Sequence, residues 1–332
     1  VKAPAVPLVA RVFTALSTGE FTSGEALAER LGVSRSAVWK ATGALKSLGA
    51  TLHAVRNRGY RLVTGGEPLE AARVRARLPP ELARRVRQLD VAWSVDSTST
   101  ALLSRPNPPP GFAEVLLAEY QTHGRGRRGR SWIAPPGGAI CLSLSWTFQQ
   151  APEDLGALGL AIGVCTLRAL NEFDLAGVGL KWPNDILIDE RKLGGILIDL
   201  RAEVTGPACV VVGLGLNVAL GSALLRKVAT TGLPATDLLT AGMERPCRNS
   251  LAAAVIAAIL RALPEFERQG LRPFVDEWRS ADVLHGRPVD VHAADGVARG
   301  LARGIDVHGA LLIETVQGVR RFISGDVTVR PA

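Results

Sequence analysis

The residue types needed to handle a phosphate are concentrated in Gly124-Arg125-Gly126-Arg127-Arg128-Gly129-Arg130. Guanidinium groups supply charge there, and glycines without a Cβ let backbone amides come close to a ligand. A polyphosphate suits the pattern, and so does a single nucleic-acid strand, since Trp132 follows closely. No wider basic stripe accompanies the loop, which favours a nucleotide phosphate. Two lysines beside strands, Lys181 in KWPND and Lys192 in RKLGG, are equal candidates for neutralising that phosphate on residue type alone. Taken singly, Asp185 is a turn-stabilising carboxylate, Ser97 and Thr98 in DSTST are helix caps, and Trp132 is as much a core residue as a ligand contact.

The elements around these residues alternate between helix and strand signals. Residues 89–95 form an expected strand, 97–105 a helix, 113–120 a strand that leads into the arginine loop, and 139–148 a further strand. An apolar helix is expected over 155–173, then strands over 178–182, 185–189, 194–203 and 208–217. Several of these strands follow one another without an intervening helix, which predicts a mixed or antiparallel sheet rather than a doubly wound one. From Val283 onward, short strands and turns suggest a small β barrel.

Of the 332 residues, 47% are hydrophobic and 21% charged, as in an ordinary globular protein of two or three domains. No apolar run reaches the roughly 18 residues of a membrane span. The N-terminal apolar stretch is interrupted by prolines and followed by no cleavage signature. A cytoplasmic protein without a membrane partner is therefore expected. Cys141, Cys165, Cys209 and Cys247 lie far apart, three of them in apolar runs. They read as buried thiols rather than as a metal site or disulfide framework.

The formal net charge of +8 is unevenly distributed, because residues 1–63 hold nine Lys/Arg against three Asp/Glu. Within that basic segment, Leu27 and Leu31 mark one amphipathic helix and Val38, Leu45 and Leu48 a second, separated by Gly32-Val33-Ser34. Ser34 is the expected N-cap of the second helix, and Arg35, Ser36 and Lys40 are placed to face a major groove. Two short strands then flank Arg56-Asn57-Arg58-Gly59, a basic hairpin tip or wing. A helix-turn-helix with a wing predicts DNA binding. Trp39 is read as core rather than as a base contact. The TGGEP segment near residue 64 is a linker into the next domain.

EYQTHGRGRRGRSW, KWPNDILIDERKLGGILIDL and GLGLNV, in that order and spacing, resemble the bacterial biotin protein ligase family. With the N-terminal winged helix, the resemblance is to the bifunctional type that also represses biotin synthesis genes. RGIDVHGALLIE resembles the small SH3-like domain of the same family. The resemblance implies an α+β fold: a winged helix-turn-helix over 1–65, a mixed α/β catalytic domain over 66–270 and an SH3-like barrel over 271–332. It also implies a two-step reaction in which biotin and ATP give biotinyl-5′-AMP, after which a lysine of a biotin carboxyl carrier protein of acetyl-CoA carboxylase takes the biotinyl group. Operator DNA and a homodimer are the further expected partners.

Site roles follow from the resemblance residue by residue. Lys192 matches the lysine that bridges biotin's carboxylate and the α-phosphate. Arg125, Arg127 and Arg128 meet the adenylate, the first two closing over it in a loop that orders around ligand, with support of that loop as the other role for Arg128 and the one for Arg130. Asp185 helps hold Mg²⁺ or orients the attacking amine. Ser97, Thr98, Ser99 and Gln121 face biotin, with Ser99 standing where the family usually has asparagine. Gly124, Gly126, Gly194 and Gly195 let backbone approach biotin, Trp132 packs on the adenylate or the loop, and Asn217 serves the nucleotide side. Two alternatives stay open at this stage: a biotin-sensing regulator without transferase activity, and a lipoate-attaching ligase.

Overall fold

The computed structural model describes residues 6–63, 67–202, 207–229, 234–244, 247–293 and 296–329. Helices α1 (Leu8–Leu16), α2 (Gly24–Leu31) and α3 (Arg35–Ser47) precede the hairpin β1 (Leu52–Val55) and β2 (Gly59–Leu62). Their apolar faces meet in one cluster that includes Phe13, Leu16, Leu27, Val38 and Leu45. Ser23 and Ser34 cap α2 and α3 by accepting from the backbone N–H of Ala26 at 3.0 Å and Ala37 at 3.2 Å. The wing is present where expected. Tyr60 exchanges two backbone hydrogen bonds of 2.9 Å with Thr22, and a Cβ at Gly59 would collide with the Thr22 carbonyl, so only glycine lets the wing join the entry to α2.

Helix α1 starts directly after the prolines of the N-terminal stretch, and one expectation changes in this unit. Pro7 stands at the N-cap, outside the hydrogen-bonded turns, where proline starts a helix rather than interrupting one. Trp39 is not a core residue: it is 67% exposed. Val38, Ala41, Thr42 and Leu45 take the inward face of α3, and the helical period turns Trp39 outward with Arg35, Ser36 and Lys40.

Part of the expected linker, residues 64–66, and with it the 65/66 boundary, lies outside the described residues. The central unit then runs α4 (Ala71–Ala76), α5 (Pro80–Ala83), β3 (Val86–Val95), α6 (Thr98–Leu103), β4 (Ala113–Gln121) and β5 (Ala139–Thr147). It continues with α7 (Leu158–Asn171), β6 (Val178–Lys181), β7 (Asp185–Ile188), β8 (Arg191–Ala202), β9 (Ala208–Asn217), α8 (Ser222–Ala229) and α9 (Arg248–Gln269), and α10 (Val275–Ser280) then leads into the C-terminal strands. The seven strands are ordered β3-β4-β5-β9-β8-β7-β6. Only β3–β4 is parallel, the mixed sheet that the sequence predicted.

Helices α7 and α9 cover one face of this sheet and α6 packs on the other. Helix α9 is long and apolar enough to cross a membrane by length and composition, but 67% of its apolar window is buried within the protein. It serves as a core helix. Cys141, Cys165 and Cys209 are buried, Cys247 is half-buried, and all four are free thiols.

The chain ends in β10 (Pro288–Ala293), β11 (Gly296–Ile305), β12 (Leu311–Thr315), β13 (Gly318–Phe322) and β14 (Asp326–Val329). They form an antiparallel sheet ordered β13-β12-β11-β10-β14. Its inward residues, among them Val291, Ile305 and Leu311, are continuous with the central core. Trp182, buried in the KWPND turn, donates its indole N–H to the Gly309 carbonyl at 3.1 Å and so fixes that turn against the C-terminal sheet. At the other end, Trp93 of β3 packs against Phe13 of α1 with ring centroids 5.5 Å apart.

Candidate functional site

Strand alternation builds the floor of the site. On β9, Val210, Val212, Leu214 and Leu216 are buried in the helix-covered core, so Gly213, Gly215 and Asn217 face the other way. A Cβ at Gly215 would run into the Trp132 indole, and one at Gly213 would come 2.7 Å from Ser99 Oγ. The two glycines thus leave a groove in which Trp132 and Ser99 lie against the sheet. On β8 the same face carries Gly195, Leu197 and Asp199, and on β5 it carries Cys141 and Ser143. Together these surfaces border a cavity of about 720 Å³, ample for a ligand the size of an adenylate.

One end of the cavity is polar and buried. Ser97 stands at the N-cap of α6. Thr98 donates its backbone N–H to Gln121 Oε1 at 2.8 Å, and its hydroxyl lies 2.7 Å from Ser143 Oγ. Ser99 Oγ is 3.0 Å from the same Ser143 hydroxyl. Ser143, fully buried mid-strand, was not singled out from the sequence. The available signal was its period-2 spacing with Ser145 and Thr147 in a largely apolar strand. Such a set of neighbouring hydroxyls with an amide side chain suits a small ligand that both donates and accepts hydrogen bonds.

Charge gathers at the other end. Lys192 Nζ donates to Asp185 Oδ1 at 2.6 Å. Lys181 pairs in register with Asp185 across β6 and β7 and lines the cavity with both. Burial lowers the Lys181 pKa below the ordinary lysine value, Asp185 opposes that shift and Lys192 adds to it. Gly195 leaves room beside the lysine, since a Cβ there would sit 3.3 Å from Lys192 Nζ and the side chain would have to shift by a few tenths of an ångström. Asn217 Nδ2 donates to the carbonyls of Thr236 at 2.9 Å and Lys192 at 3.3 Å, so it anchors the lysine strand at the rim. Among the described residues no group of three or more His, Cys, Asp or Glu side chains comes together as a metal site.

The arginine loop folds back on itself over the cavity. Trp132 N–H donates to Gly124 O at 2.8 Å and Gly126 N–H to Arg130 O at 2.7 Å, with Arg128 in the left-handed region at φ 54°. Arg125 reaches both carboxylate oxygens of Asp199 at 3.0 and 3.3 Å. Arg127 donates to Asn184 Oδ1 at 3.4 Å, while Arg128 and Arg130 converge on Asp326 Oδ2 at 2.9 and 2.5 Å. Burial is the largest influence on Arg127 and lowers its pKa, with Asp326 acting against it.

The sequence candidates separate in space. Ser97, Thr98, Ser99, Gln121, Arg125, Gly126, Arg127, Trp132, Asp185, Lys192, Gly195 and Asn217 line the cavity, with Lys181 and Arg130. Gly124, Gly194 and Arg128 do not border it. Gly124 is held under the Trp132 carbonyl, and Gly194 lies under the Gly215 carbonyl, where a Cβ would come within 2.8 Å. Arg128 points to β14 instead. Asn184, Asp199 and Asp326 were missed, because their partners are remote in sequence.

The second surface is the N-terminal unit. Ser34 is engaged as the α3 cap and lies 2.9 Å from Ser36 Oγ. Arg35, Ser36, Lys40, Arg56 and Arg58 are exposed, and the Arg58 guanidinium is held 4.3 Å over the Phe21 ring.

Comparison with known proteins matches residues 91–217 to the Biotin/lipoate A/B protein ligase family, residues 11–61 to an HTH domain and residues 284–330 to the Biotin protein ligase C terminal domain. The chain is 36% identical to the "Bifunctional ligase/repressor BirA" of Salmonella typhimurium over 98% of both chains. It is 30% identical to the Bacillus subtilis protein of that name over 93% of this chain and 94% of the relative. In structure it is similar to the biotin protein ligase of Aquifex aeolicus in complex with biotin and ATP, with a TM-score of 0.61 and 27% identity over 74% of this chain and all of that one. The match over nearly its whole length, helix-turn-helix unit included, means that the chain belongs to the family of bifunctional biotin protein ligase/repressors.

Proposed function

We propose that this biotin protein ligase binds biotin with its ureido group toward Thr98, Ser99, Gln121 and Ser143 and its carboxylate toward Lys192. The observation that carries the reading is the cavity itself, whose hydroxyl-lined end and cationic end are joined by the floor of Gly213 and Gly215. In the first step a biotin carboxylate oxygen attacks the α-phosphorus of ATP, the Pα–O bond to the β-phosphate breaks, and pyrophosphate leaves. Two anions must meet, so catalysis here is positioning and charge neutralisation. Lys192, between carboxylate and α-phosphate, does this with Arg125 and Arg127, and Lys181 is the second cation. In the second step the amine of a carrier lysine attacks the biotinyl carbonyl, loses a proton and displaces AMP. Asp185 is the carboxylate placed to orient that amine.

Mg²⁺ enters with ATP as part of the substrate. A Mg²⁺ ion usually keeps most of its ligands as water and phosphate and takes only one or two carboxylates from the protein. A single carboxylate, Asp185, fits that role. The remaining candidates divide between direct contact and support. Gly126 and Gly195 permit close approach, Trp132 and Asn217 shape the nucleotide side, and Gly124, Gly194, Arg128 and Arg130 brace the loop and sheet. The acceptor is the biotin carboxyl carrier protein of acetyl-CoA carboxylase, the carboxylase named for the ligase of Mycobacterium tuberculosis, 34% identical over 73% of this chain.

The basic winged helix over residues 1–65 binds operator DNA through Arg35, Ser36 and Lys40 on α3, with Ser34 holding its N-terminus, and through Arg56 and Arg58 on the wing. Residues 66–270 form the catalytic unit and 271–332 the SH3-like unit. The adenylate-bound protein forms a homodimer that spans two half-sites, which sedimentation with and without biotin and ATP would test. The principal test of the whole reading is transfer of labelled biotin to a carrier domain with ATP and Mg²⁺, with lipoate in parallel. Biotin transfer is expected. Tight biotin binding without transfer would leave a sensor, and lipoate transfer would change the substrate.

A further inference from the structure

We propose that Trp39 reads bases: its indole enters the major groove of duplex DNA and packs on thymine C5 methyl groups. This rests on the DNA-binding reading of the N-terminal unit given above. Helix α3 is anchored to its own unit through Val38, Ala41, Thr42 and Leu45, which leaves one outward stripe of Arg35, Ser36, Trp39, Lys40 and Gly43. In the middle of that stripe the largest apolar side chain is 67% exposed. Tryptophan left in water this way gives up a large burial free energy that a partner can recover.

The glycine beside it is a second, independent observation. Gly43 lies one turn beyond Trp39 inside a 13-residue helix, where glycine is a poor helix former. A Cβ at Gly43 would meet nothing within 4 Å, so no packing inside the protein demands it. Its effect is outward: it clears the flank of the indole for close approach of a partner.

Charge identifies that partner. Arg35 and Lys40 share the stripe with Trp39, and the wing adds Arg56 and Arg58. An apolar centre with cations around it matches a major groove, where phosphates form the walls and the thymine methyl is the apolar group on the floor. Trp39 also belongs to the first half of the helix, the part that reaches base edges in helix-turn-helix proteins. Phosphate contacts carry little sequence information, whereas a methyl contact does.

The experiment uses the full-length protein. A preferred duplex is selected from a random pool, and each of its thymines is then replaced by uracil, which removes only the methyl group. For the unsubstituted protein, at least one replacement should weaken binding about three- to fivefold, the scale of one buried methyl. Trp39→Ala should bind the parent duplex about tenfold more weakly and be indifferent to uracil at those positions. Its salt dependence should stay unchanged, because no charge is removed. The inference is overturned if Trp39→Ala keeps both the selected sequence and the uracil response, or if it alters only sedimentation, which would make the indole a protein contact. Failure of the unsubstituted protein to bind any duplex would instead overturn the DNA reading and the inference with it.

Discussion

Lys192 Nζ donates to Asp185 Oδ1 over 2.6 Å across the paired edges of β7 and β8, so a cation and a carboxylate that both line the cavity are held as one unit. If that lysine bridges the reacting carboxylate and phosphate, Lys192→Gln should lower pyrophosphate release by at least ~100-fold, the usual scale for a preorganised charge. Lys181→Gln should lower it by less than ~10-fold. DNA binding by the biotin-free protein should be little altered in both. Normal pyrophosphate release by Lys192→Gln would move the central role to Lys181, whose pKa is already lowered by burial.

The Trp132 indole lies where a Cβ of Gly215 would be. Gly215→Val should therefore lift Trp132 from the sheet and deform the cavity without cutting into the helix-covered core, since Gly215 faces away from it. Biotin binding measured by calorimetry should weaken by at least ~10-fold, while the thermal midpoint moves by only a few degrees. Unchanged affinity would mean that Trp132 is not part of the binding surface.

Much of this was legible in the sequence because it depends on local periodicity and turn chemistry. Ser34 before the α3 pattern and the Arg56–Gly59 tip between two short strands carry their own signals, and the strands from Val178 to Asn217 came out within a few residues of their ends. Trp39 was misread because hydrophobicity alone assigns tryptophan to a core, while the helical phase set by Val38, Ala41 and Leu45 turns it outward. Helix α9 has no counterpart among the sequence expectations: its unbroken apolar run spans only Leu251–Leu260 and Pro264 interrupts the helical pattern beyond it. Asp199 and Asp326 gave no signal at all. Each is defined by an arginine remote in the chain, and only the assembled fold brings such pairs together.

Asp326 ties the arginine loop to the C-terminal sheet through Arg128 and Arg130. These ion pairs are partly exposed, so each contributes only ~0.2–1 kcal/mol. Asp326→Ala should leave the thermal midpoint within a few degrees. Its effect should appear locally, as trypsin cleavage after the loop arginines several-fold faster than in the unsubstituted protein, together with a higher KM for ATP. Equal cleavage rates would show that the loop is held by Asp199 and Asn184 alone.

Asp282 lies in the turn after α10, where Leu180 pairs with it, and it has one carboxylate oxygen satisfied by the Leu284 N–H at 2.9 Å. Its other oxygen is buried without a partner. Burial pushes its pKa up to about 6, with the Leu284 hydrogen bond acting in the opposite direction. The folded state thus holds this proton more tightly than the unfolded chain, whose carboxyl titrates near the ordinary value of 3.8. The favourable contribution is complete below that value and is lost as pH rises through about 6. Asp282→Asn keeps the acceptor for Leu284 and removes the titration. Urea midpoints measured from pH 4 to pH 7 should show a fall for the unsubstituted protein that is absent or flattened in Asp282→Asn. Parallel pH profiles for the two proteins would mean that the carboxylate is hydrated in solution and that its ionisation costs the fold little.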